Sequence, residues 1–308
     1  MYLCLMSTIG AWIKAARPRT LPLSLSGIFV GLGLTVEHGN MAPIAVMGCI
    51  GTTICFQILS NFANDLGDGM KGTDNAARIG PMRAVQSGEI SIPQMKMAVS
   101  ILGILSVLAA GVVISSAPAI QSGNGIVFYG VLALLCVFAA ITYTVGKKAY
   151  GYHGLGDLMV FLFFGVVAIS GTKHLFDEQF ALNELLGAIA IGAWSTMVLN
   201  LNNMRDVDND AASGKRTMVV LLGSKNAKRY HYVLAFLGSC AWIILLYLRT
   251  IETQNYLLFI AGIPLVLFAK HIAQVTTINE AKAFDPELKK VALSTFFASI
   301  LYYALSYL

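Results

Sequence analysis

The chain has 308 residues, 56% of them hydrophobic and only 12% charged, with a mean hydropathy of +0.71. Soluble globular chains are about 45–50% apolar, so this composition excludes a soluble fold and specifies an all-α polytopic membrane protein. The net charge of +5 does not mark a nucleic-acid binder, because the cations follow membrane topology when taken in chain order.

Each crossing of a hydrocarbon core needs about 20 mostly apolar helical residues, since unsatisfied backbone polar groups are not tolerated in lipid. Nine segments meet that requirement, near 20–36, 43–62, 94–115, 126–143, 155–172, 185–204, 230–248, 256–272 and 291–308. The residues before them do not read as a cleavable signal peptide, because the apolar run at 2–6 is too short and the positive charges follow it. A short interfacial helix around Trp12 and Ile13 is expected there.

With the amino terminus cytoplasmic, Lys14, Arg17, Arg19, Lys71, Arg78, Arg83, Lys96, Lys147 and Lys148 all fall inside. So do the cations of 205–229 and Lys270, Lys282, Lys289 and Lys290. Of the 21 lysines and arginines, only Lys173 and Arg249 fall outside. Membrane lipid with anionic headgroups is the partner this asymmetry predicts. The five cysteines and five histidines are scattered, without the spacing of a disulfide framework or a zinc site; structural roles are expected.

The outer connection at 37–42 is short, whereas the inner connections at 67–93 and 205–229 are long, charged and rich in turn residues, which places function on the inner face. Each follows an acidic helix end. The two ends lie four helices apart, which points to a single domain over 1–308 built from two related four-helix sets plus a ninth helix.

The first acidic end runs Ser60-Asn-Phe-Ala-Asn-Asp-Leu-Gly-Asp68, with Lys71, Gly72 and Asp74 beyond it; Asn61, Asp65 and Asp68 share one helical face. The second runs Asn202-Asn-Met-Arg-Asp-Val-Asp-Asn-Asp210, where Asn202, Asp206 and Asp210 recur at one turn each and Asp208 points elsewhere. Both helices run from outside to inside, so the carboxylates crowd helix carboxyl ends, each at a cost of about 0.3–1 kcal/mol. Like charges one turn apart add to that cost. A cation should offset it, and Mg²⁺ takes a few carboxylates, waters and substrate phosphate oxygens. Two facing clusters would hold a diphosphate through magnesium, with Lys71, Arg78, Arg83, Lys147 and Lys215 on the same face to complete the cradle.

At these residues the sequence resembles the UbiA superfamily of membrane prenyltransferases. Asn64-Asp65-x-x-Asp68 and Asp206-x-x-x-Asp210 match its two motifs. The likeness is closest to the branch that prenylates 1,4-dihydroxy-2-naphthoate, carried by residues 16–22, 57–83, 143–147 with 151–157, and 202–223. Asp74 departs from the wider pattern, since five residues separate it from Asp68 where the usual Asp-x-x-x-Asp has three. The resemblance implies nine transmembrane helices around a central cavity, capped on the cytoplasmic side by the helix 2–3 and 6–7 loops, in the bacterial cytoplasmic membrane.

It also implies transfer of a polyisoprenyl group from its diphosphate to dihydroxynaphthoate, with loss of carbon dioxide and diphosphate, in menaquinone synthesis. Asp65, Asp68, Asp206, Asp210 and Lys147 are the expected catalytic residues. Two magnesium ions are expected on those four aspartates with Asn61, Asn202 and Asp74. Asn61, Asn64, Lys71, Arg78, Arg83, Tyr143, Asn202 and Lys215 are expected to bind substrate. Tyr143 has two readings, a π face for an allylic cation or an interfacial belt residue, and Asp157 reads as a helix cap. Prenylation of 4-hydroxybenzoate is the rival within the enzyme class. A transporter is the rival outside it, although its acids should sit near midmembrane rather than at one face.

Overall fold

The computed structural model describes residues 2–35, 41–76, 78–120 and 123–308, with side chains from residue 9 onward. Most of the expected outer connection at 37–42, together with His38 and the Cys4 side chain, lies outside the described residues. Among those described there is no β-strand, as the absence of period-two patterning requires.

Helix α1 (Tyr2–Ala16) is longer than the expected interfacial turn. It lies against the inner half of α3 (Pro43–Lys71), burying Ala11 and Ala15 and setting the Trp12 ring 5.3 Å from Phe62. The chain breaks at Arg17, whose φ of 51° is left-handed. A single 3-10 turn, Pro18–Thr20, then leads into α2 (Leu21–Gly33). With 13 residues, α2 gives about 20 Å of helix, less than a hydrocarbon core of about 30 Å. The described residues therefore supply eight helices long and apolar enough to cross a membrane, and the short α2 where the first of the nine was expected.

The next spans are α4 (Ile92–Ser116), α5 (Gly123–Thr142) and a continuous rod over 156–173. Helix α4 begins on a capping box, in which Ser91 accepts from the Gln94 amide and Gln94 accepts from Ser91, satisfying two orphan donors. The rod consists of α6 (Gly156–Val160), a π-helical stretch Phe161–Val167 and α7 (Ala168–Lys173). Then come α8 (Leu182–Arg205), the short α9 (Val207–Ala212) and α10 (Met218–Leu222), and α11 (Ser224–Thr253). The last two spans are a 3-10 stretch with α12 (Leu265–Thr277), and a 3-10 turn with α13 (Phe284–Leu305).

Helix α8 is the most buried span. Gly187, Ala188, Ala190, Gly192 and Ala193 let neighbouring backbones approach, and Trp194 stacks on Phe268 of α12 at 4.7 Å and tilts against Trp242 of α11 at 5.5 Å. The two cations expected outside are buried and paired, Lys173 with Asp177 and Arg249 with Glu252. Glu252 also accepts from Asn183 in the first turn of α8, so this end lies a full span from Asp206. Elsewhere His231, His271 and Glu287 form a buried chain joining α11, α12 and α13. Both ring nitrogens of His271 are used there, as the expected structural role requires.

The rod lies so close to α8 that a Cβ on Gly165 would press on the Ala188 carbonyl oxygen and sit 2.9 Å from the Gly192 Cα. Overpacking at backbone costs about 1–3 kcal/mol or more. Gly165→Val should lower the melting temperature in detergent by several degrees, whereas Gly130→Ala, where nothing lies within 4 Å, should leave it unchanged.

Candidate active site

A cavity of about 350 Å³ is enclosed by α2, α3, α4, α5, the rod and one residue of α8. On α3 its wall runs from Cys49 to Asn64, about 22 Å at 1.5 Å per residue. Ile28, Phe56, Phe163 and Phe164 make it apolar, and Asn61, Asn64 and Tyr143 line its inner end. That position settles Tyr143 as a cavity residue. Asp65 and Asp68 follow one turn beyond those asparagines, so the acidic site sits over the inner mouth.

Helix α3 stops at Gly72, whose left-handed φ of 72° lets its N–H reach the Asp68 and Gly69 carbonyls. The chain then folds back over the helix end. Asp65 accepts from the backbone amides of Ala84 at 3.1 Å and Val85 at 3.2 Å. Asp68 accepts from the Tyr152 hydroxyl at 2.7 Å and from Lys215 Nζ at 3.3 Å. Asp74 pairs with Arg78 Nε at 3.2 Å and faces Arg83 Nε at 3.9 Å.

The second motif turns at Asp206, where α8 ends and α9 begins, yet the Asp206 and Asp210 amides still bond one turn back, to Asn202 and Asp206. Asp206 and Asp210 are buried and Asp208 is exposed, as the spacing predicted. Arg205 grips both oxygens of Asp206, at 3.0 and 2.7 Å, and also reaches Asn202 and Asp285. Arg78 Nη2 reaches Asp206 at 3.4 Å. One guanidinium thus joins Asp74, just beyond the first motif, to Asp206 of the second. Gly80 leaves it room, since a Cβ there would lie 2.7 Å from Arg205 Nη2 and 2.9 Å from Arg78 Nη2.

Burial opposes charge throughout, and the neighbours decide each outcome. Although burial works against it, Asp206 is held below the usual carboxylate range by Arg205, with Arg78 and Arg83 adding. Asp74 is pushed up by burial and by Asp68, against the pull of Arg83 and Arg78. Asp210 takes no side-chain hydrogen bond among the described residues; burial, with Asp206 and Asp68, pushes it up to about 7 despite Lys215. Burial lowers Arg17 to about 10 and drives Arg83 well down, with Arg17 and Arg78 adding.

Among the described residues no three His, Cys, Asp or Glu side chains converge as a ready-made metal site. The donor set nonetheless suits magnesium. Every acceptor is oxygen, and Asp210 is buried without a bonded cation. The Oδ2 of Asp74 and the Oδ1 of Asn209 are buried without hydrogen bonds. Mg²⁺ normally keeps waters and takes phosphate oxygens beside one or two carboxylates, so an incomplete protein shell fits it.

Several expected ligands are engaged otherwise. Asn61 donates to the Ala16 carbonyl at 2.8 Å and Thr20 Oγ1 at 3.0 Å, clamping the turn at Arg17, while its own oxygen accepts from Gln57. Asn202 accepts from Arg205, and Asn64 accepts from Thr144 at 3.3 Å. Lys147 is exposed in the turn after α5 with no polar partner among the described residues, and Lys215 is the lysine that enters the site. Lys71 lies 3.8 Å over the Tyr152 ring. The sequence reading missed Tyr152, Arg205, Asn209 and the site role of Arg17. Arg17 carried one signal, a cation between Ala16 and Pro18 beside the motif region. It is half-buried, and its Nε and Nη2 are buried without hydrogen-bond partners.

An apolar cavity beneath buried carboxylates suits a membrane-embedded transferase acting on an amphiphile with an anionic head. The chain belongs to the UbiA prenyltransferase family, which matches it over residues 24–301. It is 36% identical over 293 residues to the 1,4-dihydroxy-2-naphthoate octaprenyltransferase of Haemophilus influenzae, covering 94% of each chain. To the Escherichia coli protein of that name it is 37% identical over 297 residues, covering 96% of this chain and 95% of that one. In fold it is similar to a UbiA homologue from Archaeoglobus fulgidus bound to GPP and Mg²⁺, with a TM-score of 0.67 at 16% identity, covering 96% and 98% of the two chains. A structure of that homologue with DMAPP and Mg²⁺ gives 0.64 at 15% identity, covering 94% and 99%.

The raised Asp210 has a measurable sign. Its folded value near 7 lies above the unfolded one, so the metal-free fold loses stability as pH rises through about 4 to 7, and the loss is complete above 7. Asp210→Asn removes the ionising group, and its gain in melting temperature should be larger at pH 8 than at pH 5 in chelator.

Proposed function

We propose that the protein transfers a polyisoprenyl group from an allylic diphosphate to 1,4-dihydroxy-2-naphthoate, releasing diphosphate and carbon dioxide and yielding demethylmenaquinol, which oxidises to demethylmenaquinone. The observation that carries this reading is Arg78 joining Asp74 and Asp206 at the inner mouth of an apolar cavity. It supports a site in which residues of both acidic stretches face one diphosphate. The names of the relatives favour dihydroxynaphthoate as acceptor, and the substrates held by the fold neighbours favour an allylic diphosphate donor with magnesium.

Asp68, Asp74, Asp206 and Asp210 would hold two magnesium ions, with the Asn209 oxygen beside them. Bound magnesium supplies positive charge to the leaving diphosphate oxygens. Lys71, Arg78, Arg83 and Lys215 offset the remaining negative charge as the carbon–oxygen bond breaks. The cavity walls, Phe56, Phe163 and Phe164 among them, hold the tail and keep water from the allylic carbon. The Tyr143 ring offers that carbon a π face, worth about 0.5–2 kcal/mol. Attack comes from the ring carbon that bears the carboxylate; carbon dioxide then leaves with its bonding pair returned to the ring. The free N–H groups of Arg17 and Arg83 suit an anionic group on either substrate. The cation asymmetry supports a bacterial cytoplasmic membrane with the loops inside, and the two motif-bearing helices support one domain of two related halves.

Purified protein given an allylic diphosphate, Mg²⁺ and either acceptor should prenylate dihydroxynaphthoate and release carbon dioxide; turnover of 4-hydroxybenzoate alone would overturn the acceptor assignment. Asp68→Asn and Asp206→Asn should each lower kcat/KM by about 10²-fold or more while the protein stays folded. Near-normal rates in both variants would remove the metal-held diphosphate from the mechanism.

A further inference from the structure

A third loop enters the acidic site beside the two long ones. The connection between α5 and the rod carries a 3-10 turn, Tyr150–Tyr152, and the last residue of that turn meets the first acidic motif and the loop that follows the second. The Tyr152 hydroxyl donates to Asp68 Oδ1 at 2.7 Å. A phenol has one proton to give, so Thr73 Oγ1, 2.6 Å away, is the donor in their contact. The face of the ring carries Lys71 Nζ at 3.8 Å from its centroid, with Lys215 Nζ at 5.3 Å. Lys215 also reaches the other oxygen of Asp68 at 3.3 Å. The backbone closes the assembly, since the Tyr152 carbonyl accepts from the Arg216 amide at 3.2 Å and the Thr73 carbonyl from Asn209 at 2.9 Å.

A residue needed only to fill space would use the ring alone, yet here the hydroxyl engages Asp68 and Thr73 at the end of α3, the carbonyl engages Arg216 in the loop after α9, and the π face takes a lysine from each of those two stretches. Burial, reinforced by Asp68, raises the phenol above its ordinary range, so it remains a donor at neutral pH. The ring face attracts ammonium groups more weakly than a phosphate oxygen does, so both lysines can pass from the ring to an arriving anion without leaving the site.

We propose that Tyr152 is a positioning residue for the diphosphate half of the reaction: it fixes one oxygen of Asp68 and gathers Lys71 and Lys215, so that a carboxylate and a cation from the end of α3 and a second cation from the loop after α9 face one ligand. The proposal rests on the diphosphate reading above. It differs from simple loop support in predicting a selective loss of donor affinity.

Tyr152→Phe keeps the ring and loses the hydroxyl, whereas Tyr152→Leu loses both. In the full-length metal-free protein in detergent, hydrogen exchange in peptides covering 72–76 and 207–216 should quicken in Tyr152→Leu by about tenfold, and less in Tyr152→Phe. Titrated with inorganic diphosphate in Mg²⁺, Tyr152→Phe should bind about tenfold more weakly than the wild type, and Tyr152→Leu more weakly still. In turnover, the KM for the allylic diphosphate should rise by about the same factor, with kcat and the KM for the aromatic acceptor little changed. Tyr152→Phe with wild-type diphosphate affinity and KM, or with both substrates' KM values raised equally, would overturn the proposal. Unchanged exchange in Tyr152→Leu would refute the interlock itself; if that variant does not fold, the Tyr152→Phe affinity and KM decide. A wild type that binds no diphosphate in Mg²⁺ would instead sink the functional reading, with the exchange result still deciding whether Tyr152 links the loops.

Discussion

Buried negative charge at one end of a membrane bundle is the condition around which the rest of this structure is arranged. Asp65, Asp68, Asp74, Asp206 and Asp210 are all less than a tenth exposed, and an unpaired carboxylate in such surroundings would surrender its charge by taking up a proton. Arginines and lysines are therefore drawn in from four separate stretches of chain, at 17, 78–83, 205 and 215. Arg78 and Arg205 both reach Asp206 Oδ2, Lys215 leans on Asp68, and the amides of Ala84 and Val85 serve Asp65. The path of the long loop after α3 follows from these pairings, because it must return over the helix end to deliver Arg78, Arg83 and those two amides.

Below that layer the requirements invert. The cavity carries no ionisable group apart from the tyrosines near its ends and two cysteines, and its walls depend on helices set close by small residues. Gly165 and Gly192 bring the rod onto α8, while Phe163 and Phe164 from the same π-helical stretch turn towards the cavity. Polar head and apolar shaft therefore meet at one level, that of Asn61, Asn64 and Tyr143. A substrate with a charged head and a long hydrocarbon tail matches this division, and neither half alone would select it.

Much of this was legible in the sequence because it is local. Hydropathy windows located eight spans, and helical spacing separated buried Asp206 and Asp210 from exposed Asp208. The placement of cations set Lys173 and Arg249 at the end away from the aspartates. Contacts over long chain separations were not legible. Tyr152 lies 84 residues from Asp68 in a turn that carries no acidic or basic signature. Arg205 looks from its sequence position like a topological cation, and only the fold shows it wrapped around its own neighbour. Asn61 shares a face with Asp65 and Asp68, yet the turn at Arg17 claims its amide. Lys147, expected in the site from its place four residues beyond Tyr143, is exposed in the turn after α5. The segment expected at 20–36 is already one of the shorter ones, and α2 falls short of it at the far end, stopping at Gly33 where hydropathy continues to Val36.

The π-helical stretch in the rod has a consequence of its own. A wide turn of this kind is an α-helix with one extra residue accommodated, and each residue of α-helix advances the phase by about 100°. Val160, Phe163, Phe164 and Val167 lie before or within the wide turn, and Ala168, Gly171 and Thr172 after it; all seven border the cavity. Deleting one residue from 161–167 would restore ordinary helical winding and rotate everything beyond it by roughly a quarter turn. The cavity's outer half would then be lined by a different set of side chains, although the deletion changes neither the hydropathy of the span nor the acidic site at its other end.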